Sequence, residues 1–286
     1  MIGDPQERSP FHGRTAALAT MHDKRPLIAP VMGDVLGMGV AEAAIDTDAF
    51  GTFAGDVPRV GTPTEVAIAK ARAGMQLLGL DIGLASEGSI GPDPVSGLIM
   101  RDTEFVVLVD STLGLEIGEH HFSNDTVARR RVVDDHTPLE PLLRGMDVPR
   151  HAVIVMPDHD PAQARKGLRD IHQIDLARGL ACANSPTGTA VIMNDLRAHC
   201  SPSRQKVIEQ AARNLAARAA TPCPECRQPG WGRIDWLTGR TCAGCGGDVP
   251  FLVRGTLDGC QGCGATVETP TQTAPVSPAQ CPACNP

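Results

Sequence analysis

Aromatic residues are nearly missing from this chain: its 286 residues include six Phe, two Trp and no Tyr. A stacking platform for single-stranded nucleic acid needs several exposed rings, so that function class is poorly served. The core has to be assembled from Ala, Val, Leu, Ile and Met. Positive charge is also short. The formal net charge of −7 gives no general attraction to nucleic acid or to an anionic membrane. No apolar run approaches the roughly 18 residues that a membrane-spanning helix needs. The opening "MIGDPQERSPFHGR" is polar and contains no apolar signal segment. These absences lead to the expectation of a cytoplasmic protein that takes neither nucleic acid nor membrane as partner.

Cysteine is plentiful, and its placement divides the chain. Eight of the ten cysteines fall in four CxxC pairs: Cys223/Cys226, Cys242/Cys245, Cys260/Cys263 and Cys281/Cys284. In a reducing compartment such pairs predict metal ligation rather than a disulfide framework. Each pair wraps two thiolates round one side of an ion, and two pairs complete a tetrahedral S4 site, so eight thiolates predict two structural Zn2+ sites. The spacings C-x2-C-x15-C-x2-C and C-x2-C-x17-C-x2-C both suit a ribbon, which favours pairing neighbouring CxxC pairs in sequence; a cross-braced pairing of first with third and second with fourth is the alternative. Four-thiolate sites have no open position for water, so their role is to fold a segment poor in large apolar residues. From residue 223 onward there are four Arg, no Lys and five acidic residues, unlike a nucleic-acid clamp. A protein contact or plain attachment to the main domain is expected, with Trp231 and Trp236 either as its anchors or packed inside the ribbon. Cys182 and Cys200 lie outside the pattern and read as small buried apolar residues.

Residues 15–220 alternate between strand-like and helix-like runs. "TAALATM" (15–21), "FVVLVD" (105–110) and "HAVIVMP" (151–157) read as buried strands. "GLIM", "EFVVLVD" and "LGLEIGEHHF" suggest consecutive antiparallel strands. Helices are expected over 62–79, over 161–180 with Gly167 as a candidate break, and over 201–219. Thr62-Pro63-Thr64-Glu65 is a capping box with Pro at the first helical position, and Ser201-Pro202 starts the last helix in the same style. The expected architecture is a flexible arm over 1–14, a mixed-sheet α/β core over 15–220 and a Cys-rich zinc-binding unit over 221–286. His120 and His121 are adjacent on a strand and point to opposite faces, which argues against a shared metal.

The polar motifs of the core follow one another in an order that resembles the inosine triphosphate pyrophosphatase family. "ALATMHDK" (17–24) stands where that family has an "ATxNxxK"-like turn. Thr62, Glu65, Ala67, Lys70 and Ala71 match its "TxxENAxxKA" helix. Glu87 and Gly88 match an acidic-glycine turn, and Ser203 and Arg204 match its late "SHR". The chain departs from the pattern at His22, at Lys24 (one residue early, with Arg25 in its place), at Val66 and at Pro202. Over nearly its whole length it more closely resembles an uncharacterised bacterial family, a domain of unknown function, that carries "ATMHxK", "DTDxFGTF", "ASEGSxGP" and "RAHxxPxR"-like segments ahead of a Cys-rich tail.

The pyrophosphatase resemblance implies hydrolysis of a nucleoside triphosphate with Mg2+ held by carboxylates. Glu65, Glu87 and Asp110 are then the candidate acids, with Asp46 and Asp48 in reserve. Lys24 or Arg25, Lys70, Arg204 and Arg197 would offset phosphate charge. Gly88 would let the backbone approach the ligand, and His199 is a candidate for reading the base. The contrasting expectation is a non-catalytic nucleotide- or metabolite-binding adaptor whose ribbons meet a protein partner.

Overall fold

The structure, a computed structural model, describes residues 9–21, 23–46, 50, 61–94 and 96–286. His22 and Asp48 lie outside the described residues. Five α-helices and three sheets are present among the described residues, and one sheet is mixed, so the class is α/β as expected.

The first sheet has five strands. β1 (Thr15–Ala19) and β2 (Gly39–Ala43) lie parallel and are joined by α1 (Arg25–Leu36). α2 (Pro63–Leu78) leads into β3 (Ile82–Pro92), which pairs parallel with β1 on its other side. β3, β4 (Met100–Asp110) and β5 (Leu115–Ser123) form an antiparallel meander, giving the order β2-β1-β3-β4-β5. "GLIM" is not a strand of its own; it is the approach to β4.

β4 is buried on both faces from Glu104 to Asp110, and its side chains alternate between two cores, as a period of two requires. Val106 and Leu108 face one way, into a core shared with α1 and with α5 (Pro202–Ala220). Phe105, Val107 and Val109 face the other way, against Ala67, Ala71 and Met75 of α2. Phe11 is fully buried in the first of these cores, and Arg14 pairs with Asp110 at 2.6 Å. The expected flexible arm is therefore anchored by residue 11, because its one large apolar side chain has a core to enter.

Between β5 and α5 the chain builds a second sheet, which the expectation of a single core had merged with the first. β6 (Arg130–Val133), β7 (Val153–Pro157), β8 (Arg165–Leu168) and β9 (Ala190–Asn194) run antiparallel in the order β6-β9-β7-β8. α3 (Leu139–Gly145) and α4 (Ile171–Ala183) contribute Leu143, Ile174 and Ala177 to a separate core. The helix expected over 161–180 begins ten residues late. Asp160 caps a single 3-10 turn, Gly167 takes φ +78°, and Asp170 caps α4 by accepting from the Gln173 N–H at 3.0 Å. Cys182 and Cys200 are buried, as expected, and burial raises both thiols above their ordinary range.

The tail is a three-stranded antiparallel ribbon of β10 (Gly232–Thr241), β11 (Asp248–Gly259) and β12 (Thr266–Pro270). It docks on the first sheet beside β5. Gln228 donates to the Leu113 carbonyl at 3.1 Å, Gln261 accepts from the Glu116 N–H at 2.9 Å, and Arg218 of α5 reaches both Gly230 O and Glu119. No helix among the described residues is long and apolar enough to cross a membrane.

Candidate functional site

Two parts of the molecule carry chemistry. The simpler one is the ribbon. Cys223, Cys226, Cys260 and Cys263 form one group and Cys242, Cys245, Cys281 and Cys284 another, with the sulfurs of each group within 4.8 Å of one another. Within each group and between its two CxxC pairs, Cys223 and Cys263 lie 3.8 Å apart, Cys226 and Cys260 3.6 Å, Cys242 and Cys284 3.8 Å, and Cys245 and Cys281 3.8 Å. A disulfide needs about 2 Å. A tetrahedral ion with metal–sulfur bonds of about 2.3 Å needs sulfur–sulfur edges near 3.8 Å, so both groups fit a metal ion.

The pairing is cross-braced, first with third and second with fourth, which corrects the expected sequential pairing. The reason is strand length. Cys223/Cys226 and Cys242/Cys245 sit at opposite ends of β10, a ten-residue strand that spans roughly 33 Å. Gly232 pairs with Gly259 across β10 and β11, so the antiparallel turn brings Cys260 and Cys263 back to the first pair. All four knuckles share one local bond. The N–H of the residue after the second cysteine (Arg227, Gly246, Gly264 or Asn285) donates to the carbonyl of the first cysteine at 2.9–3.0 Å. Arg227, Gly246 and Gly264 take positive φ to do so.

The second part lies at the carboxyl ends of β1 and β3. α1 and α2 cover opposite faces of the sheet, so β1 and β3 flank a topological switch, the place where open α/β sheets bind ligands. β1 stops at Ala19, opposite Ala85, while β3 runs on to Pro92 with no strand on that side among the described residues. Six charged side chains surround this bare stretch, and all are buried: Lys24, Lys70, Glu87, Asp102, Glu104 and Arg204. They lie on both faces of the strand. On the α2 side Lys70 pairs with Glu87, and Phe50 lies 6.0 Å from the Lys70 Nζ. On the α5 side Lys24 donates to Ser86 Oγ at 2.8 Å, and Arg204 Nε donates to Glu104 Oε1 at 2.5 Å. Arg204 Nη1 also donates to the Leu196 carbonyl at 2.6 Å, which ties the second sheet to the site.

Burying six charges is costly unless they compensate one another, and clusters of this kind concentrate at functional sites. Desolvation lowers the Lys24 amine to about 8, although Glu104 and Glu87 pull the other way. Desolvation and the neighbouring Glu104 raise the Asp102 carboxyl to about 7 against the opposing pull of Arg204 and Lys24. Both Asp102 oxygens and Glu104 Oε2 are buried without a hydrogen-bond partner among the described residues. Three such oxygens suit a hard cation that completes its shell with water and ligand oxygens. Only the cysteine groups bring three or more metal-ligating residues within 4.8 Å among the described residues, so no all-protein cage for such a cation is built here.

The sequence-derived candidates divide. Lys24, Lys70, Glu87, Gly88 and Arg204 come together. Gly88 serves differently from expectation: a β-carbon there would collide with Glu104 Oε1, so its smallness lets the Glu104–Arg204 pair close over β3. Glu65 is exposed, and its carboxylate accepts from the Thr62 N–H at 2.7 Å, completing the capping box. Asp110 does not converge with Glu87. It pairs with Ile82 at the far end of the β3–β4 ladder, binds Arg14, and accepts from the Thr112 and Leu113 N–H groups. Arg25 is exposed and donates to the Val40 carbonyl; Asp46 is exposed as well. Arg197 is held by Asp195, at 2.6 Å between Nη2 and Oδ2, and exposed His199 accepts from Arg169 through its carbonyl. His120 and His121 face opposite sides of β5, level with Phe105 and Glu104 respectively.

Asp102 and Glu104 escaped the sequence reading. "RDTE" looks like the polar lead-in to an apolar strand. The signal lay in the period: 102 and 104 fall on the same face as Val106 and Leu108, which places two acids in the core register.

Residues 70–286 match the family described as "Domain of unknown function (DUF6671)". The chain belongs to that family. The match takes in Lys70, Glu87, Asp102, Glu104, Arg204 and all eight ribbon cysteines of this DUF6671 member; Lys24 precedes it. No curated protein and no solved structure matches the chain.

A third arrangement stands at triad distances. His151 Nδ1 lies 2.8 Å from Asp147 Oδ2, and His151 Nε2 lies 3.0 Å from Ser203 Oγ. Its exposure gradient is the reverse of a nucleophilic triad, with Asp147 half-exposed and His151 buried. His151 Nε2 also accepts from the Ser203 N–H at 3.3 Å, while Ser201 makes no side-chain cap. His151 therefore caps α5 from outside and fastens the second sheet to it.

Proposed function

We propose that this DUF6671 protein is a Mg2+-assisted hydrolase of phosphoanhydrides, with nucleoside triphosphates as the substrate class, and that its two cysteine groups hold structural Zn2+. The observation that carries the reading is the cluster around the bare edge of β3: three buried cations beside three buried acids, with carboxylate oxygens left over. In the ligand-free chain Lys70 is paired with Glu87 and Arg204 with Glu104, while Lys24 donates to Ser86. A bound triphosphate would take over Lys24, Lys70 and Arg204, and so release carboxylate oxygens. Glu104, through its unpartnered Oε2, is the residue to hold Mg2+, which would supply charge neutralisation on the phosphates and a more acidic water. Asp102, with its raised carboxyl, is placed to accept the proton of an attacking water, as a base working near neutral pH requires. Glu87 holds Lys70 in position until phosphate arrives. The four-thiolate groups leave no position for water and stabilise the ribbon. A reducing cytoplasm would keep these thiols free for zinc.

The experiment is a panel of nucleoside triphosphates with Mg2+, read out as released pyrophosphate or phosphate. At least one should turn over, and Glu104→Gln should lower turnover a hundredfold or more while the chain stays folded. No release from any triphosphate would end the reading. The second reading, a binding adaptor, is favoured by Ile234, Phe251 and Val267, which are exposed on the ribbon and offer a protein partner apolar surface. Under it, Glu104→Gln would leave the wild-type rate, already zero, unchanged.

A further inference from the structure

β3 carries Glu87, Ser89 and Gly91 on one face, and β4 places Phe105, Thr103 and Arg101 opposite them. Past the end of α2 no helix or strand among the described residues other than the ribbon meets this face. The ribbon closes over it from the other side and leaves a cleft of about 550 Å³, within the range of small-molecule sites. Ser89 and Gly91 lie on one wall, Arg101 and Phe122 on the next, and Arg233 and Trp236 of β10 on the third. The Arg101 guanidinium lies over the Phe122 ring at 4.4 Å, and the Arg233 guanidinium over the Trp236 ring at 4.2 Å. A Cβ on Gly91 would meet nothing within 4 Å, so this wall is open.

The aromatic residues are too few for this to be routine. Among the described residues, the exposed large aromatics are Phe122, Trp236 and Phe251, and two of these three line the one cleft. Each comes with an arginine stacked on it. A guanidinium on a ring is a flat platform suited to stacking against a planar base. Arg101 is paired with Asp93 and Arg233 lies 3.9 Å from Glu119, so the cleft stacks a base and leaves phosphate charge to the β3 edge. Position adds the second constraint. Residues two apart on a strand are separated by roughly 7 Å, so Ser89 and Gly91 lie about 7 and 13 Å from Glu87 on the same face. A nucleoside triphosphate with its phosphates at Lys70 reaches that far.

We infer that the cleft between the β3–β5 meander and the zinc ribbon is the nucleoside subsite, with Arg101, Phe122, Arg233 and Trp236 taking the base. The inference rests on the phosphate-binding reading of the β3 edge. It gives the ribbon a share in the site as well as a fold: Arg233 and Trp236 reach the ligand only because the metal-braced hairpin is docked on β5.

Calorimetric titration of the full zinc-loaded chain with Mg2+ and ATP, inosine triphosphate, inosine or inorganic triphosphate tests it, with Trp emission as a second readout. A nucleotide should bind at least tenfold more tightly than inorganic triphosphate and quench Trp emission. Arg233→Ala and Trp236→Ala should bring nucleotide affinity down to that of inorganic triphosphate, leave triphosphate affinity unchanged, and retain two metal ions per chain. Equal affinities for nucleotide and triphosphate in the wild type, or variants that still prefer the nucleotide, overturn the subsite while sparing the phosphate site. Inosine bound as tightly as inosine triphosphate keeps the subsite and removes the phosphate site instead. Absence of binding by all four removes both.

Discussion

Gly88 lies directly opposite Glu104 across the β3–β4 ladder, and a β-carbon on Gly88 would stand 2.5 Å from Arg204 Nη2. The backbone of one strand thus makes room for an ion pair formed by the next strand and the last helix. Gly88→Ala should force Glu104 and Arg204 apart with both side chains still buried. Separating a buried pair costs about 3–5 kcal/mol. Urea unfolding of Gly88→Ala checks this, and a variant as stable as the wild type would mean that the pair has room to shift.

Stability should depend on pH in two opposed limbs. Asp102 is raised from 3.8 to about 7. Between those values the folded chain keeps a proton that the unfolded chain has released, so this group makes stability fall as pH rises towards 7. Lys24 is lowered from 10.5 to about 8. Between those values the unfolded chain holds the extra proton, so stability rises with pH. The two groups together place a minimum between about 7 and 8. Asp102→Asn should match the wild type near pH 4 and exceed it at pH 8, by on the order of 4 kcal/mol, roughly three pKa units at about 1.36 kcal/mol each. Unfolding midpoints measured across pH 4–10 read both limbs, and an unchanged profile in Asp102→Asn would rule out the assignment.

The cross-braced pairing is open to a metal count. Cys223 and Cys260 share one group. A double Cys223→Ser, Cys260→Ser variant should therefore keep one bound metal ion per chain. Sequential pairing would damage both groups and leave none. Elemental analysis of purified protein separates the two, and removing both ions with a chelator should unfold the ribbon while leaving the far-UV signal of the α/β core.

His151→Ala removes the acceptor for the first turn of α5 and the link to Asp147. Loss of a helix cap costs about 1–2 kcal/mol, and thermal unfolding should show it. Ser203→Ala leaves His151 to accept the backbone N–H and should cost less. A fluorophosphonate should not label Ser203; labelling would make it a nucleophile rather than a capped helix residue.

Much of the fold was legible where its cause is local. The capping box at Thr62 and Glu65, the Pro202 start of α5, the short apolar runs of β1, β4 and β7, and the existence of four thiolate knuckles each depend on residues within a few positions of one another. The stretch 161–170 was misread as helix because its breakers act through backbone conformation: Asp160 closes one turn and Gly167 takes positive φ before Asp170 starts the real helix. Asp110 was misplaced because a strand end gives no sign of which end of the sheet it occupies, and β4 runs antiparallel to β3.

Local chemistry in the chain was enough to determine the α/β class, the capping box of α2 and the eight thiols able to hold metal, since spacing alone carries that information. Only the tertiary structure decided which cysteines share an ion, and which acids meet Lys24, Lys70 and Arg204. Strand direction and register bring residues a hundred positions apart, such as Glu104 and Arg204, into one buried pair. A hairpin reverses the chain and moves a neighbour in sequence to the opposite end of the ribbon. Pairings of that kind are properties of the assembled sheet, which no single segment contains.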